Sequence, residues 1–250
     1  MTGDPLLAAE QVTVSFGGNR ALTDVDIDVR VGEVTGLIGP NGAGKTTLFN
    51  VITGMLTPTT GRVRLDGRDV SRLDTHKRAR LGIARTFQRL ELFTDLTVRD
   101  NLRVAGEIRN SWSGFPRVGR RINVANETER VLGVLGLTRL ADANVSTIPT
   151  GTARVVELGR ALMIQPRVLL LDEPASGQTD DETKAFEALL RRLVTEAGLT
   201  VLLVEHDMAL VMEVCDRIHV LDFGEIIAAG TPDDVRGDAR VRDAYLGALT

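Results

Sequence analysis

Residues 39–46 read Gly-Pro-Asn-Gly-Ala-Gly-Lys-Thr, and this short stretch decides the fold class of the chain. An apolar run that predicts a strand, Val34–Ile38, precedes it, and residues 46–55 follow with apolar side chains at helical spacing. A glycine-rich turn between a strand and a helix is typical of loops that bind phosphate. The glycines allow backbone N–H groups to point at phosphate oxygens, and the helix adds the positive end of its dipole.

The side chains of this loop predict a nucleoside triphosphate and Mg²⁺ as its ligands. We expect Lys45 to supply charge to the β- and γ-phosphates and Thr46 to offer its hydroxyl to Mg²⁺. The other residues expected to contact the nucleotide are Gly39, Pro40, Asn41, Gly42, Ala43, Gly44 and Thr47. The Asn-Lys-x-Asp motif that reads guanine does not occur in the sequence, which disfavours a GTPase. The loop by itself therefore predicts a nucleoside triphosphate without identifying its base.

Two adjacent carboxylates follow a second apolar run. Val168–Leu171 predicts a buried strand of a parallel sheet, and Asp172 and Glu173 stand at its end. Open α/β sheets bind ligands at the carboxyl ends of their strands. We expect Asp172 to hold Mg²⁺ through water. Because neighbouring side chains of an extended segment point apart, we expect Glu173 to face the attacking water as a general base.

A histidine follows a third apolar run. Leu199–Val204 comes after the helical stretch Glu182–Ala197 and ends in Glu205-His206-Asp207. If the run is a parallel strand, His206 lies at the same edge of the sheet as the other two motifs. An imidazole at that edge can donate a hydrogen bond to the γ-phosphate during its transfer.

The remaining patterns predict how these motifs are embedded. Leu6–Phe16 and Leu22–Val31 predict strands, and the second alternates apolar and polar residues through Val31, which is typical of a sheet with one solvated face. Between about residues 88 and 161 helical patterns replace strand signals, and Ile218–Leu221 predicts one more buried strand. We therefore predict a single α/β domain over residues 1–250, with a mixed central sheet, an antiparallel β edge and an inserted helical subdomain.

Composition and charge exclude several classes of protein. The 250 residues carry a formal net charge of −4, so no overall positive field exists to attract nucleic acid. No stretch approaches the ~18 apolar residues of a membrane span, and the N-terminus lacks the features of a secretory signal. We therefore expect a cytoplasmic protein, or one that is attached to a membrane only through a partner. Its single cysteine, Cys215, is expected in or near the core.

The phosphate loop, the Asp172-Glu173 pair and His206, in this order, resemble the motifs of the ATP-binding cassette (ABC) family over nearly the whole chain. The resemblance implies an ABC ATPase domain of the P-loop NTPase fold, which hydrolyses ATP as a pair of subunits. It also implies that Phe16, in Ser15-Phe-Gly-Gly18, stacks on adenine. Gln88, in Arg85-Thr-Phe-Gln88, would join Mg²⁺ to the contact with a membrane subunit and take part in catalysis.

Four further stretches are most similar to the branched-chain amino-acid importer branch of that family. They are Asn41–Gly44, Ala84–Gln88, Glu205–Met208 and Ala244–Gly247. This branch implies permease subunits, a second ABC ATPase subunit and an extracytoplasmic substrate-binding protein as partners. A lipid or lipopolysaccharide export ATPase is a similar alternative, and a weakly hydrolysing regulatory subunit is another. A soluble ATPase of DNA repair or translation would carry long coiled coils or two cassettes, and this sequence has neither.

Two stretches depart from the pattern of the family. Where a Leu-Ser-Gly-Gly-Gln-like signature is expected, the chain has Ile148–Thr152, and only Gly151 is retained. Residues 175–180, where a loop normally crosses the dimer interface, also differ. These departures predict a heterodimer with a partner that carries a better signature.

The basic stretch Arg109–Arg121, which includes Trp112 and Phe115, is either a contact for a membrane subunit or lipid head groups, or a solvated insertion.

Overall fold

The chain folds around two β-sheets, as seen in a computed structural model that describes residues 4–112, 114 and 120–247. The strands are β1 (Leu7–Phe16), β2 (Asn19–Val29), β3 (Val34–Ile38), β4 (Thr60–Leu65), β5 (Arg68–Asp69), β6 (Ile83–Arg85), β7 (Val168–Asp172), β8 (Val201–Val204), β9 (Arg217–Asp222) and β10 (Glu225–Gly230). The helices are α1 (Lys45–Thr53), α2 (Thr75–Arg80), α3 (Val98–Ser111), α4 (Val124–Val134), α5 (Thr150–Met163), α6 (Asp180–Ala197), α7 (Met208–Val214), α8 (Pro232–Gly237) and α9 (Ala239–Gly247). Short 3-10 turns span Thr138–Leu140 and Val145–Thr147.

The larger sheet has the strand order β10-β9-β3-β8-β7-β6 within the described residues. Its inner strands are parallel, with Val34 opposite Val201 and Leu169 also opposite Val201, whereas β10 runs antiparallel to β9. Every residue of β3, β7 and β8 is buried, because one face of the sheet packs against helices such as α5 and α6 and the other against α1 and the smaller sheet. The predicted mixed sheet is confirmed, and the carboxyl ends of β3, β6, β7 and β8 meet at one edge.

The smaller sheet is antiparallel, with the order β2-β1-β4-β5. Leu7 pairs with Val29 on one side and with Leu65 on the other. The predicted end of the second strand at Val31 is wrong, because β2 stops at Val29 and Val31 is 69% exposed. The chain turns there through Gly32, whose φ of 72° ends the extended backbone.

Helices α3, α4 and α5 pack together in the region where the sequence predicts a helical subdomain, and α5 continues to Met163, beyond the expected boundary near residue 161. Their facing sides bury Leu102, Leu132 and Leu158 completely or almost completely. Helix α3 approaches α5 closely at Gly106, where an added Cβ would lie 2.8 Å from the Met163 methyl carbon. In the part of the chain that the structure describes, no helix is long and apolar enough to cross a membrane.

The basic stretch Arg109–Arg121 is described only in part, since residues 113 and 115–119, including Phe115, lie outside the described residues. Both interpretations of this stretch treated Arg109 as a surface residue, and that was wrong. Arg109 is 6% exposed and donates hydrogen bonds to the Gln165 side chain at 2.8 Å and to the Arg120 carbonyl at 3.1 Å. Its guanidinium therefore serves the packing of α3 against the end of α5.

Cys215 lies in the core, as predicted, directly after α7. Burial raises the pKa of its thiol to about 12. The side chain is therefore an unreactive packing group, because the thiolate is the nucleophilic form of cysteine.

Candidate nucleotide-binding and catalytic site

The glycine-rich loop connects β3 to α1, which begins at Lys45. Its glycines at positions 39, 42 and 44 have φ values of 152°, 82° and 111°, a region that side-chain-bearing residues rarely adopt. An added Cβ on Gly39 would also lie 1.9 Å from the Leu221 carbonyl oxygen of β9. The first turn of α1 has no acidic side chain, so the positive end of the helix dipole is left for an anion.

Lys45 is folded back onto this loop. Its ammonium donates to the carbonyl oxygens of Gly39 at 2.6 Å and Pro40 at 3.0 Å, and the residue is 8% exposed. Burial lowers the pKa of Lys45 below its ordinary value, whereas the carboxylates of Glu173 and Asp172 act in the opposite direction. The charge of Lys45 thus lies near both carboxylates that the sequence assigned to the site.

Asp172 ends β7 and is held by an arginine. Nη2 of Arg85, at the end of β6, lies 2.6 Å from Oδ2 of Asp172, and both side chains are less than a tenth exposed. Nη1 of Arg85 donates to Oδ1 of Asn50 on α1 at 2.7 Å. Sequence reasoning missed Arg85 and Asn50 as site residues. Arg85 stands three residues before Gln88 in the quoted motif, and that position was the available signal.

Three side chains expected in catalysis meet beyond the ends of β6, β7 and β8. Nε2 of Gln88 donates to Oε2 of Glu173 at 2.7 Å, and Nδ1 of His206 lies 4.0 Å from the same oxygen. Gln88 is exposed, and the His206 side chain is 62% exposed, so the cluster opens to solvent. Its arrangement can orient a water molecule beside Glu173.

The Glu173 side chain does not reach the cluster through the alternation of an extended strand, as the sequence analysis expected. Glu173 has a φ of 48°, so it is not part of an extended segment, and strand alternation does not apply to it. A glutamate in this left-handed region costs about 1 kcal/mol or more. The Glu173 N–H donates to the Val204 carbonyl of β8 at 2.9 Å, a contact that holds this backbone.

A buried carboxylate, which sequence reasoning missed, supports the loop on the other side of the cluster. Glu205 is 1% exposed, and its oxygens accept the backbone N–H groups of Ala175 at 2.8 Å and His206 at 3.1 Å. Burial raises the pKa of Glu205, and these hydrogen bonds act in the opposite direction. Glu205 therefore links the residue that presents the imidazole to the start of the 175–180 loop.

Phe16 ends β1 and is 55% exposed, as an aromatic available for stacking would be. The β1–β2 hairpin lies beside the glycine-rich loop, since an added Cβ on Gly44 would lie 2.8 Å from the Ala21 carbonyl oxygen of β2. The hairpin that carries Phe16 thus borders the loop.

The Ile148–Thr152 stretch lies against α6. Pro149 is the N-cap of α5 and provides no side-chain hydrogen bond to it. Gly151 is buried, and an added Cβ there would lie 2.4 Å from a carboxylate oxygen of Glu182. Glu182 forms a capping box with Thr179 at the start of α6, so the retained glycine has a packing reason in this chain.

The oxygen donors of the site fit Mg²⁺. Thr46 is exposed at the start of α1, Asp172 contributes a carboxylate, and the side-chain nitrogen of Gln88 is engaged, which leaves its amide oxygen as the possible ligand. Among the described residues, no group of three or more His, Cys, Asp or Glu side chains is arranged to hold a metal. This is consistent with Mg²⁺, which takes few protein ligands and is held largely by substrate phosphates and water.

Two family models match the chain. A family model described as ABC transporter matches residues 22–176, and one described as branched-chain amino acid ATP-binding cassette transporter matches residues 225–248. The first match contains the glycine-rich loop, Gln88 and Glu173, whereas Phe16 and His206 lie outside both matches.

Similar proteins span the chain almost completely. It is 42% identical to the high-affinity branched-chain amino acid transport ATP-binding protein BraF of Pseudomonas aeruginosa, over 97% of this chain and 98% of that protein. It is 34% identical to the lipopolysaccharide export system ATP-binding protein LptB of Haemophilus influenzae, over 97% of each. A solved ATP-binding cassette of an ABC transporter in its ADP conformation superimposes with a TM-score of 0.85 at 32% identity, over 98% of this chain and 100% of that chain.

Proposed function

Since the chain belongs to the ABC transporter ATP-binding family, we propose that it hydrolyses ATP to drive the uptake of branched-chain amino acids, as one of two ATP-binding subunits of an importer. The observation that carries the chemistry is the meeting of Gln88, Glu173 and His206 next to the loop that bears Lys45. The C-terminal match and the 42% identity to a branched-chain transport protein favour this substrate class over lipid export.

ATP binding uses the loop and its neighbouring hairpin. The backbone N–H groups of residues 39–47 surround the phosphates, and Lys45 exchanges the carbonyls of Gly39 and Pro40 for phosphate oxygens in a charge-assisted contact. Phe16 stacks on the adenine ring from the β1–β2 hairpin. Because stacking contacts the flat face of the base and not its edges, it discriminates poorly between adenine and other bases.

Hydrolysis follows from the cluster at the edge of the sheet. Glu173 accepts the proton of the attacking water, and Gln88 holds the carboxylate in place through its amide nitrogen. His206 donates a hydrogen bond to the γ-phosphate as it leaves. Thr46, Gln88 and Asp172 would hold Mg²⁺, which when bound neutralises charge on the phosphate oxygens.

A groove beside Gln88 is suited to a permease subunit. It has a volume of about 260 Å³ and lies between the sheet and the helical subdomain. Met55, Phe87 and Ile108 line it with more than a third of their surface exposed. A cytoplasmic helix of a permease would bury these apolar groups and reach Gln88 through its neighbour Phe87, so attachment at the cytoplasmic face of the membrane would come through this groove.

Reconstitution tests the function. The chain is purified with the membrane subunits that accompany it, placed in vesicles, and assayed for ATP-dependent uptake of labelled leucine, with a substrate-binding protein included where one co-purifies. Lys45→Ala should abolish uptake because a buried ammonium-to-phosphate contact has no substitute. Lys77→Ala removes an exposed lysine on α2 and should leave uptake intact. Vesicles that hydrolyse ATP but move lipid instead of leucine would contradict the substrate class.

A further inference from the structure

Arg85 joins three elements of the site. Its guanidinium contacts Asp172 on β7 and Asn50 on α1, and Arg85 itself ends β6. Asn50 stands four residues after Thr46, so both lie on one face of α1. Arg85 therefore connects the helical face that carries one expected Mg²⁺ ligand, Thr46, to the carboxylate of another.

The guanidinium is locked in this position. Its carbon lies 5.4 Å from the ring centre of Phe49 and 5.0 Å from that of Phe87. Both rings favour a cation over their faces. Because hydrogen bonds hold both ends of the guanidinium and rings flank it, Arg85 is a fixed part of the site.

Stability alone is a weak reason for this arrangement. Replacing a buried ion pair by packed apolar groups is often neutral or stabilising, so such a pair calls for another purpose. Arg85 occupies Oδ2 of Asp172, and the second carboxylate oxygen, Oδ1, remains for other contacts. Partners that orient metal-binding carboxylates commonly affect metal affinity as strongly as some ligands do.

We propose that Arg85 is a positioning residue of the metal site, which fixes Asp172 relative to Thr46 so that one carboxylate oxygen stays available to the hydration shell of Mg²⁺. This inference rests on the proposed function, because it assumes that the chain binds a metal–nucleotide complex. Phe87 adds a consequence, since its ring lies over Arg85 while its exposed part lines the permease groove. A permease helix in that groove would thus lie one side chain away from the residue that orients Asp172.

The test measures how much a metal strengthens nucleotide binding. The affinity of the purified full-length chain for a non-hydrolysable ATP analogue is determined in EDTA and again with Mn²⁺. In Arg85→Met, the gain in affinity on adding Mn²⁺ should fall by about 10-fold or more. The affinity in EDTA should stay close to that of the wild type, because the glycine-rich loop and Phe16 are untouched.

Control variants separate this role from a general structural one. Arg160→Met removes a half-buried guanidinium that also stacks on an aromatic ring, at 4.7 Å from Phe93, and it contacts neither Asp172 nor Asn50. In Arg160→Met, the gain in affinity for the ATP analogue on adding Mn²⁺ should equal that of the wild type. Arg85→Lys keeps the charge and provides a foldable second variant, but one ammonium cannot reproduce the two-ended contact, so part of the gain should still be lost.

The outcomes distinguish this inference from the proposed function. A folded Arg85→Met or Arg85→Lys chain that keeps the full gain with Mn²⁺ would overturn the role of Arg85. An equal loss in Arg160→Met would do the same, since the effect would then follow the loss of any arginine that stacks on an aromatic ring. If the wild-type chain gains no affinity with Mn²⁺, the metal site of the proposed function fails as well.

Discussion

The side-chain nitrogen of Gln88 lies 2.7 Å from Oε2 of Glu173, so the segment that follows β6 is tied to the carboxylate that follows β7. Gln88 adjoins Phe87, which lines the proposed permease groove. A shift of the permease helix would therefore act on the carboxylate through a single hydrogen bond. Transport would then be coupled to hydrolysis because the position of the permease helix determines whether Glu173 is correctly oriented.

Glu173→Gln should slow ATP hydrolysis by roughly 10²–10⁴-fold, the usual contribution of a positioned general base. The amide oxygen of the new side chain can still accept from Gln88, so the site should keep its shape and bind ATP with Mg²⁺ normally. Single-turnover hydrolysis and ATP affinity are measured side by side. Glu196→Gln, an exposed carboxylate near the end of α6, is the matched control. Wild-type turnover in Glu173→Gln would refute the assignment of the base.

The signature of this chain should limit the ATP site that it completes in a partner subunit. Pro149 offers neither a hydroxyl nor an N–H group, and loss of one oxyanion-type donor commonly costs about 10²–10³ in rate. Restoring serine, glycine and glutamine at Pro149, Thr150 and Thr152 should therefore raise the ATPase activity of the chain on its own. Gly151 is kept, because Glu182 packs against it.

A second substitution checks that the restored activity comes from this site. Glu173→Gln added to the three replacements should remove the gain. Robust activity of an unmodified homodimer, not raised by the restoration, would show that the signature works as written and that the two sites need not differ.

Arg78 should be essential for stability although it lies outside the site. It is 1% exposed and donates to the carbonyl oxygens of Leu73, Val51, Ile52 and Ser71 at 2.6–2.9 Å. Burial lowers the pKa of Arg78 to about 10. Arg78→Met leaves carbonyls at the end of α1 without their donor, which should lower the free energy of unfolding by about 3 kcal/mol.

Urea unfolding followed by circular dichroism measures this loss. Arg72→Met, at an exposed position of the same connection, should change the free energy of unfolding by no more than about 0.5 kcal/mol. Equal stabilities of the two variants would mean that water or a rearranged side chain satisfies the carbonyls near Arg78.

His219 should make stability depend on pH. It is 3% exposed on β9, with Nε2 at 3.5 Å from Oδ1 of Asp28 on β2, and Arg217 faces the same carboxylate. Burial lowers the pKa of His219, and Asp28 opposes this less strongly. The stability that this group contributes is thus present above its unfolded pKa near 6.5 and is lost as the pH falls toward the folded pKa, because only the unfolded chain takes up the proton.

The measurement compares the free energy of unfolding from pH 8 to pH 5 in the wild type and in His219→Asn. On acidification, the free energy of unfolding should fall more in the wild type than in His219→Asn. His76→Gln changes an exposed histidine and should follow the wild-type curve. Parallel curves for the wild type and His219→Asn would mean that Asp28 raises the pKa of His219 as much as burial lowers it.

The sequence indicated the fold class because the deciding features are local. Gly39, Gly42 and Gly44 need a backbone that other residues rarely adopt, and a strand and a helix flank them within a few residues. The buried parallel strands were readable for a similar reason, since covering both faces of a sheet leaves continuous apolar runs. The misplaced strand end at Val31 shows the limit of this approach, because apolar alternation continued to Val31, two residues past the end of β2 at Val29.

The tertiary structure alone decided which side chains meet. Gln88 and Glu173 are 85 residues apart in sequence, and Arg85 and Asp172 are 87 apart. No periodic pattern connects such positions, and their contact depends on β6 and β7 being neighbours in the sheet. The buried Glu205 depends in the same way on the meeting of β8 with the loop after β7. Local conformational requirements determined where a phosphate can bind, whereas strand order, which arises from packing of the whole chain, decided which residues surround that position.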